Sequence, residues 1–365
     1  MTIKPMKHFL LTLICTLALA ACTVSEEDRK NFLPYAKGKP GEIILAMDST
    51  MWAGTLGEVV RTTFKPVVDG LPRGEALFSV RYVDPRKIND VLKQVNNLIF
   101  VSTLDSKSQG SRILNNYFTK ESRKQIKENE KLFVFTDQDV FARGQEVMYL
   151  FGQNEEQLIA YINKSKFQLQ NHFNSIENDR LKKRLYKAKE VVGINDKLIK
   201  DHDCSMRIPS GYQLVESQEG FIWVRRIETM VDKDIFIAYR DFDNEEIFQP
   251  ENVLKLRESI TSKYLFDDPA DLSTYVTTQE YMPLIYDEVN FNEKYAIRTK
   301  GLWKTNNNAM GGPFLSYTFV DEALNRLYYI EGFIYSPGKS QREYMREITV
   351  ILSTFRSSAE LVDEN

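Results

Sequence analysis

From Gly41 onward the chain alternates between hydrophobic periods of two and of 3.6 residues, and nothing else in it limits the fold so strongly. Short apolar or alternating runs predict strands at Glu42–Met47, Leu77–Val83, Leu98–Ser102, Lys131–Thr136 and Gln145–Phe151. The longer period predicts a helix over Thr55–Phe64 and another opening at Pro85, where a missing N–H costs nothing, with Ile88, Val91, Leu92 and Val95 on one side. Glu155–Lys200 reads as one long charged helical region with Leu158, Ile162, Leu169, Phe173 and Ile176 as its apolar stripe. The polar stretch 105–130 reads as a mobile, partly helical excursion.

Beyond residue 200 strands dominate. A turn at Arg207-Ile208-Pro209-Ser210-Gly211-Tyr212 leads to strands at Gln213–Glu216, Phe221–Arg226, Ile235–Tyr239, Leu284–Val289, Tyr295–Trp303, Phe314–Val320 and Leu327–Tyr335. Two helices accompany them, Glu251–Tyr264 and a closing one with Tyr344, Ile348, Ile351, Leu352 and Phe355 on one face. Strands in meander order with two helices imply an antiparallel sheet covered by helices. The expectation is an α+β chain: an N-terminal α/β-sandwich-like half over 41–200 and a C-terminal antiparallel sheet with packed helices over 201–365. A glycine-containing last strand, then a helix ending in Ser353-Thr354-Phe355-Arg356, resembles the Mog1/PsbP-type sandwich, a likeness of architecture that carries no function.

The first 40 residues have a different character. Lys4 and Lys7 precede an apolar run from Phe9 to Ala21, too short to span a bilayer permanently, which closes in Leu19-Ala20-Ala21-Cys22. That ending resembles the bacterial lipobox. It predicts a signal peptide over 1–21, a lipid on Cys22 as the membrane anchor, and a polar tether over 22–40. Residue 23 is Thr rather than the Asp of inner-membrane retention, so the expected location is the outer membrane, on its periplasmic face or at the cell surface. Glu26-Glu27-Asp28 fits either a surface-export signal or a solvated linker.

Charge and cysteine content narrow the function. The chain has 48 basic and 51 acidic residues, and losing Lys4 and Lys7 with the leader takes the net charge from −3 to −5. That gives no general pull on nucleic acid. Of Cys15, Cys22 and Cys204, one leaves with the leader and one takes the lipid, so no internal disulfide forms and stability must come from core burial. Only His172 and His202 remain in the mature chain, a poor set for zinc, and no glycine-rich phosphate loop occurs, so neither metal nor cofactor is expected.

Several stretches together resemble an uncharacterised Bacteroidota lipoprotein family, domain of unknown function 4837. They are Gly41-Glu42, Met47-Asp48, Trp52-Ala53-Gly54-Thr55-Leu56-Gly57, Asp139-Val140-Phe141-Ala142 with Gln145, Ile208-Pro209-Ser210-Gly211-Tyr212 and Phe221-Ile222-Trp223-Val224-Arg225-Arg226. Gly301-Leu302-Trp303, Met310-Gly311-Gly312-Pro313-Phe314-Leu315-Ser316-Tyr317 and Glu331-Gly332-Phe333-Ile334-Tyr335-Ser336-Pro337 complete them. Phe141 stands where the family pattern leads one to expect Trp. The resemblance implies an envelope lipoprotein and transfers no active site.

Few residues suggest chemistry. Cys204 lies two residues from His202, on the same face if both sit on a strand, which reads either as a Cys–His pair or as an ordinary domain-boundary strand. Asp267, Asp268 and Asp271 read either as calcium ligands or as a solvated turn. Basic residues of the excursion (Lys107, Arg112, Lys120, Arg123, Lys124, Lys127) form either a solvated loop or a patch for an acidic surface. Trp52, Trp303, Gly311 and Gly312 are the candidate contacts for a ligand or partner: exposed indoles can stack or anchor, and paired glycines permit close approach. Core burial and an ordinary loop are the alternatives. The function expected is a non-catalytic binding or assembly module meeting an envelope protein or a glycan. Against it stand an envelope hydrolase using an acidic pair that the sequence does not single out, and a purely structural envelope protein.

Overall fold

The computed structural model describes residues 30–129, 131–268 and 271–363. The leader and Cys22 lie outside them. The chain divides into two compact units, Met1–Val59 with Val80–Tyr161, and Val60–Ser79 with Ile162–Asn365.

The first unit runs β1 (Glu42–Met47), α1 (Ser49–Ala53), α2 (Thr55–Phe64, its second half counted with the other unit), β2 (Ser79–Val83), α3 (Asp90–Lys93), β3 (Asn97–Thr103), α4 (Gln109–Asn115), α5 (Lys120–Glu128), β4 (Val134–Gln138), β5 (Glu146–Gly152) and α6 (Glu155–Lys164). Its sheet has the order β2-β1-β3-β5-β4. β1, β3 and β5 are parallel, with Ile44 opposite Leu98 and Leu98 opposite Val147, and β4 pairs antiparallel at the edge. Every residue of β3 is buried, which is why its sequence is a continuous apolar run rather than an alternation.

Three expectations change here. The predicted helix from Pro85 is a 3-10 turn and the short α3, because Asn89 turns extended and its side chain accepts from Leu92 N at 2.9 Å, capping a new helix. The excursion over 105–130, read as mobile and partly helical, is mostly helix, with α4 and α5 capped by Ser108 and Thr119. Three of the apolar residues there, Leu114, Phe118 and Ile126, are buried, with Phe118 edge-on to Phe151 at 5.7 Å. The tether also ends earlier than residue 40. Arg143 N donates to Pro34 O (2.8 Å), Lys37 N to Gln94 O (2.9 Å), and the Arg143 guanidinium lies 4.1 Å over the Tyr35 ring.

The second unit carries α7 (Lys166–Leu185), α8 (Val192–His202), β6 (Cys204–Ser205), β7 (Gln213–Gln218), β8 (Phe221–Glu228), β9 (Val231–Asp241), α9 (Pro250–Tyr264), β10 (Phe266–Asp268), β11 (Asp271–Thr278), β12 (Ile285–Phe291), β13 (Lys294–Thr305), β14 (Gly311–Asp321), β15 (Arg326–Tyr335), α10 (Arg342–Leu352), β16 (Arg356–Ser357) and α11 (Ser358–Asp363). The region Glu155–Lys200 is therefore three helices rather than one. Tyr186 OH donates to Arg207 O (2.8 Å) and Val191 N to Ile208 O (3.1 Å), and these bonds turn the chain between α7 and α8. α7 belongs to this unit, ahead of the boundary expected at 200/201. Arg346 donates to Asn174 and Asn178 Oδ1 (2.6 and 3.1 Å), and Gln170 Nε2 to Thr63 O (2.7 Å).

The main sheet has the order β10-β11-β13-β14-β15-β9-β8-β7, with β12 also paired to β13. Its named pairs are antiparallel, as the meander order implied. The period of two sorts its side chains to two cores. Ile235 and Ile237 face α8 and α10 with Ile330, Ile348 and Leu352, whereas Phe236 and Ala238 face α9 with Tyr329, Val253 and Ile260. The fold is α+β, an antiparallel sheet with helices on both faces.

Candidate functional site

Helix α9 sets the geometry of an open cavity in the second unit. Pro250 starts it, and Asn252 Nδ2 donates to Glu246 O at 2.7 Å, fixing the approach. Val253, Arg257 and Ile260, spaced four and three, turn toward the sheet. Arg257, 1% exposed, donates from Nε and Nη2 to both oxygens of Glu331 (2.9 and 2.8 Å) and from Nη1 to Thr278 (2.8 Å), and its plane lies 4.0 Å over Phe314. Tyr329 OH donates to the same carboxylate at 2.5 Å. Burial pushes the Glu331 carboxyl up, against the pull of Arg257.

On the outer side of α9, Lys255, Ser259 and Lys263 follow at intervals of four and form one wall of a cavity of about 750 Å³. Leu256, Ile260, Ala238, Leu327 and Tyr329 give it an apolar floor. Glu219, Asp243 and Glu246 also line it; all three are exposed, and Asp243 is paired with Arg240. Tyr239 is held from behind by His202. The two His202 ring nitrogens lie 3.2 Å from Tyr239 OH and 2.9 Å from Ser217 Oγ, and burial lowers the affinity of that imidazole for a second proton. Lysines along one helix face, an Arg240–Asp243 pair, further carboxylates and an apolar floor suit an amphipathic ligand or partner.

None of the predicted contact residues lines this cavity. Trp303 is 3% exposed, edge-on to Phe333 at 5.1 Å, and its indole N–H donates to Ile334 O at 3.0 Å. It is a core residue, so the reading of an exposed indole is corrected. Gly312 pairs with Trp303 across β13 and β14, and a Cβ there would run into the Ile334 carbonyl oxygen. Gly311 is likewise set against the Trp303 backbone. The glycines give room to a neighbouring strand, not to a ligand. Trp52, in the first unit, is half-buried and stacked on Tyr82 at 4.7 Å, just beyond the buried Asp48 that caps α1.

The Cys–His reading is also corrected. His202 ends α8, Asp203 turns left-handed, and Cys204 starts β6, so the two do not share a strand. Cys204 is fully buried, and burial pushes its thiol up to about 12, which leaves no reactive thiolate. Of the proposed calcium ligands only the side chain of Asp271 is described, and its carboxylate accepts from Ser273 N at 3.0 Å.

Asp234 is a carboxyl that no motif singles out. It is 2% exposed and accepts from Trp223 Nε1 (2.8 Å) and Arg225 Nε (2.7 Å), yet burial outweighs both and pushes it up to about 6. The native state therefore holds a proton between about pH 4 and pH 6 that the unfolded chain has released. Its stabilising effect is complete below the unfolded value and lost as the pH rises through the folded one. A shift of roughly two units corresponds to about 3 kcal/mol. The stability of wild type relative to Asp234→Asn should therefore rise by that order between pH 7 and pH 4 in parallel urea titrations; a pH-independent difference would contradict the assignment.

With this geometry, the second unit is defined as an α+β domain with an antiparallel sheet, helices on both faces and an open cavity beside α9. Residues 192–354 match the family model described as domain of unknown function DUF4837. Residues 36–186 match a second domain of unknown function, DUF8532. No curated protein matches the chain. Among solved structures, the Saccharomyces cerevisiae Ran-binding protein Mog1p is similar at 10% identity and a TM-score of 0.28, over 44% of this chain and 93% of that one. A mutant of protein Mog1 gives 9% and 0.26, over 43% and 91%. At these scores the likeness carries no argument about ligand or partner, and the α+β class rests on the elements themselves.

Proposed function

We propose that this protein is a lipid-anchored, non-catalytic binding module of a bacterial cell envelope, held through Cys22, that receives a partner protein segment or glycan in the cavity beside α9. The observation that carries the binding half is the cavity's lining, an apolar floor bordered by the α9 lysines and by exposed carboxylates. General acids of glycosidases sit against apolar walls. Glu219, Asp243 and Glu246 are instead exposed, which supports a receptor over the hydrolase reading. The anchor half is supported by Leu19-Ala20-Ala21-Cys22 after an apolar run of leader length.

A photo-crosslinking residue in place of Ser259, in cells, tests the reading. One envelope component should be captured, and capture should fall when Lys255 and Lys263 are both replaced by Glu. Cys22→Ser should move the protein out of the membrane fraction. Capture unaffected by the charge reversal would remove the cavity from the proposal, and tight membrane retention of Cys22→Ser would remove the anchor.

A further inference from the structure

The C-terminal end of α7 and the connection to α8 carry Lys182, Lys183, Arg184, Lys187 and Lys189, five cations in eight residues, all exposed. None of the five forms an ion pair among the described residues. The carboxylates near them are taken. Glu177 is held by Arg180 (2.6 Å) and Glu190 by Arg207 (2.5 Å). On α8, Lys197 pairs with Asp201 (2.6 Å), and Asp196 has Lys200 one turn on. On α10, which packs against α7, Glu343 pairs with Arg342 (2.7 Å) and Glu347 with Lys233 (2.9 Å). Asp179 is left against the five, an excess of about four positive charges in a chain whose formal net charge is −3.

The segment is fixed. Tyr186 OH donates to Arg207 O (2.8 Å), the Arg207 guanidinium lies 4.0 Å over the Tyr186 ring, and Val191 N donates to Ile208 O (3.1 Å). Cations suit the last turn of a helix, whose carbonyls point outward unpaired, and this accounts for Lys182, Lys183 and Arg184. It does not account for Lys187 and Lys189, which lie beyond the helix, or for the exposed aliphatics that follow. Val192 is 62% exposed and Ile199 44%, seven apart and so on one side of α8.

We infer that this face of the second unit docks on a phospholipid bilayer, the five cations meeting the lipid phosphates of an anionic leaflet and Val192 and Ile199 entering the interface. Charge complementarity selects an anionic surface. The aliphatics beside the cations select a bilayer over a soluble polyanion, which has no apolar layer to receive them. The anchor proposed on Cys22 would keep such a surface within reach, but the docking does not depend on it. Alone the patch holds loosely, because physiological salt screens it within about 8 Å. A protein without its lipid therefore still leaves the membrane fraction on washing.

Co-sedimentation of the mature Cys22→Ser protein with vesicles of phosphatidylcholine, alone or mixed with phosphatidylglycerol, tests the inference at low and high salt. The protein should sediment with the mixed vesicles at low salt, and stay in solution with the neutral ones and at high salt. Lys182→Gln, Lys183→Gln and Arg184→Gln together should weaken the partition roughly a hundredfold, and Lys187→Gln with Lys189→Gln, outside any helix, roughly thirtyfold. Lys255→Glu with Lys263→Glu, at the α9 cavity, should leave it unchanged. Equal sedimentation with both vesicles, sedimentation with neither, or binding lost in the α9 variant instead would overturn the inference. So would unchanged sedimentation of a patch variant that melts at the wild-type temperature, or binding of soluble polyglutamate as tight as that of the mixed vesicles. Since this protein carries no lipid, a failure here leaves the anchor untouched, whereas retention of Cys22→Ser in cells that survives high salt counts against the anchor and not the patch.

Discussion

Arg257→Ala should lower the stability of the second unit by roughly 3–5 kcal/mol, the cost of breaking a buried ion pair from one side. The reason is what stays behind. Glu331, fully buried, would be left with only Tyr329 OH donating to it, forced either to hold an uncompensated charge or to take up a proton, while Thr278 and the face of Phe314 lose their cation. Replacing both partners at once, Arg257→Met with Glu331→Leu, removes the stranded charge and should recover most of the loss, because buried pairs exchanged for apolar residues of similar volume are often neutral. Thermal unfolding of the three proteins at pH 7 distinguishes the cases. A single variant as stable as wild type, or a double variant worse than the single one, would show that the pair is not what holds α9 to β15.

Trp303→Ala should cost about 3–5 kcal/mol through the cavity it leaves. Its ring packs on Phe333, and its N–H is the partner of the Ile334 carbonyl. Trp303→Phe keeps an aromatic in place and loses the hydrogen bond, so its cost should be nearer 1–2 kcal/mol. The pair also decides between the two sequence readings of this residue. A surface contact would leave the unfolding midpoint unmoved on truncation and change only what the protein binds.

Much of the second unit was legible because short apolar and aromatic runs such as Phe314–Val320 and Leu327–Tyr335 read as strands, and both are buried on either face, with one apolar stripe per helix. Where apolar residues were few the reading failed. The stretch 105–130 looked mobile because its composition is polar, although Leu114, Phe118 and Ile126 suffice to hold α4 and α5. The long helical region hid its breaks, since what turns the chain at residues 186–191 is a tertiary bond to Arg207 and not a proline or glycine. The candidate sites were the least legible. Trp303 and Gly311-Gly312 drew attention as unusual residues, and they are unusual because two strands and an indole must meet closely. The residues that line the cavity, Lys255, Ser259 and Lys263, look in sequence like any solvated charges. Only the fold aligns them. Arg257 was hidden in the same way, a charge at the position where the helix stripe calls for an apolar residue.

The docking of Pro34–Lys37 onto the first unit has a bearing on distance. With the lipid on Cys22, as proposed, no more than the dozen residues up to Pro34 are left as a leash, and fully extended these reach at most about 40 Å. The body would then patrol a thin layer directly above the bilayer, at a height set by its own first hydrogen bonds, and whatever it meets must come down to that layer. Lengthening the leash by inserted residues would raise that ceiling without touching the cavity.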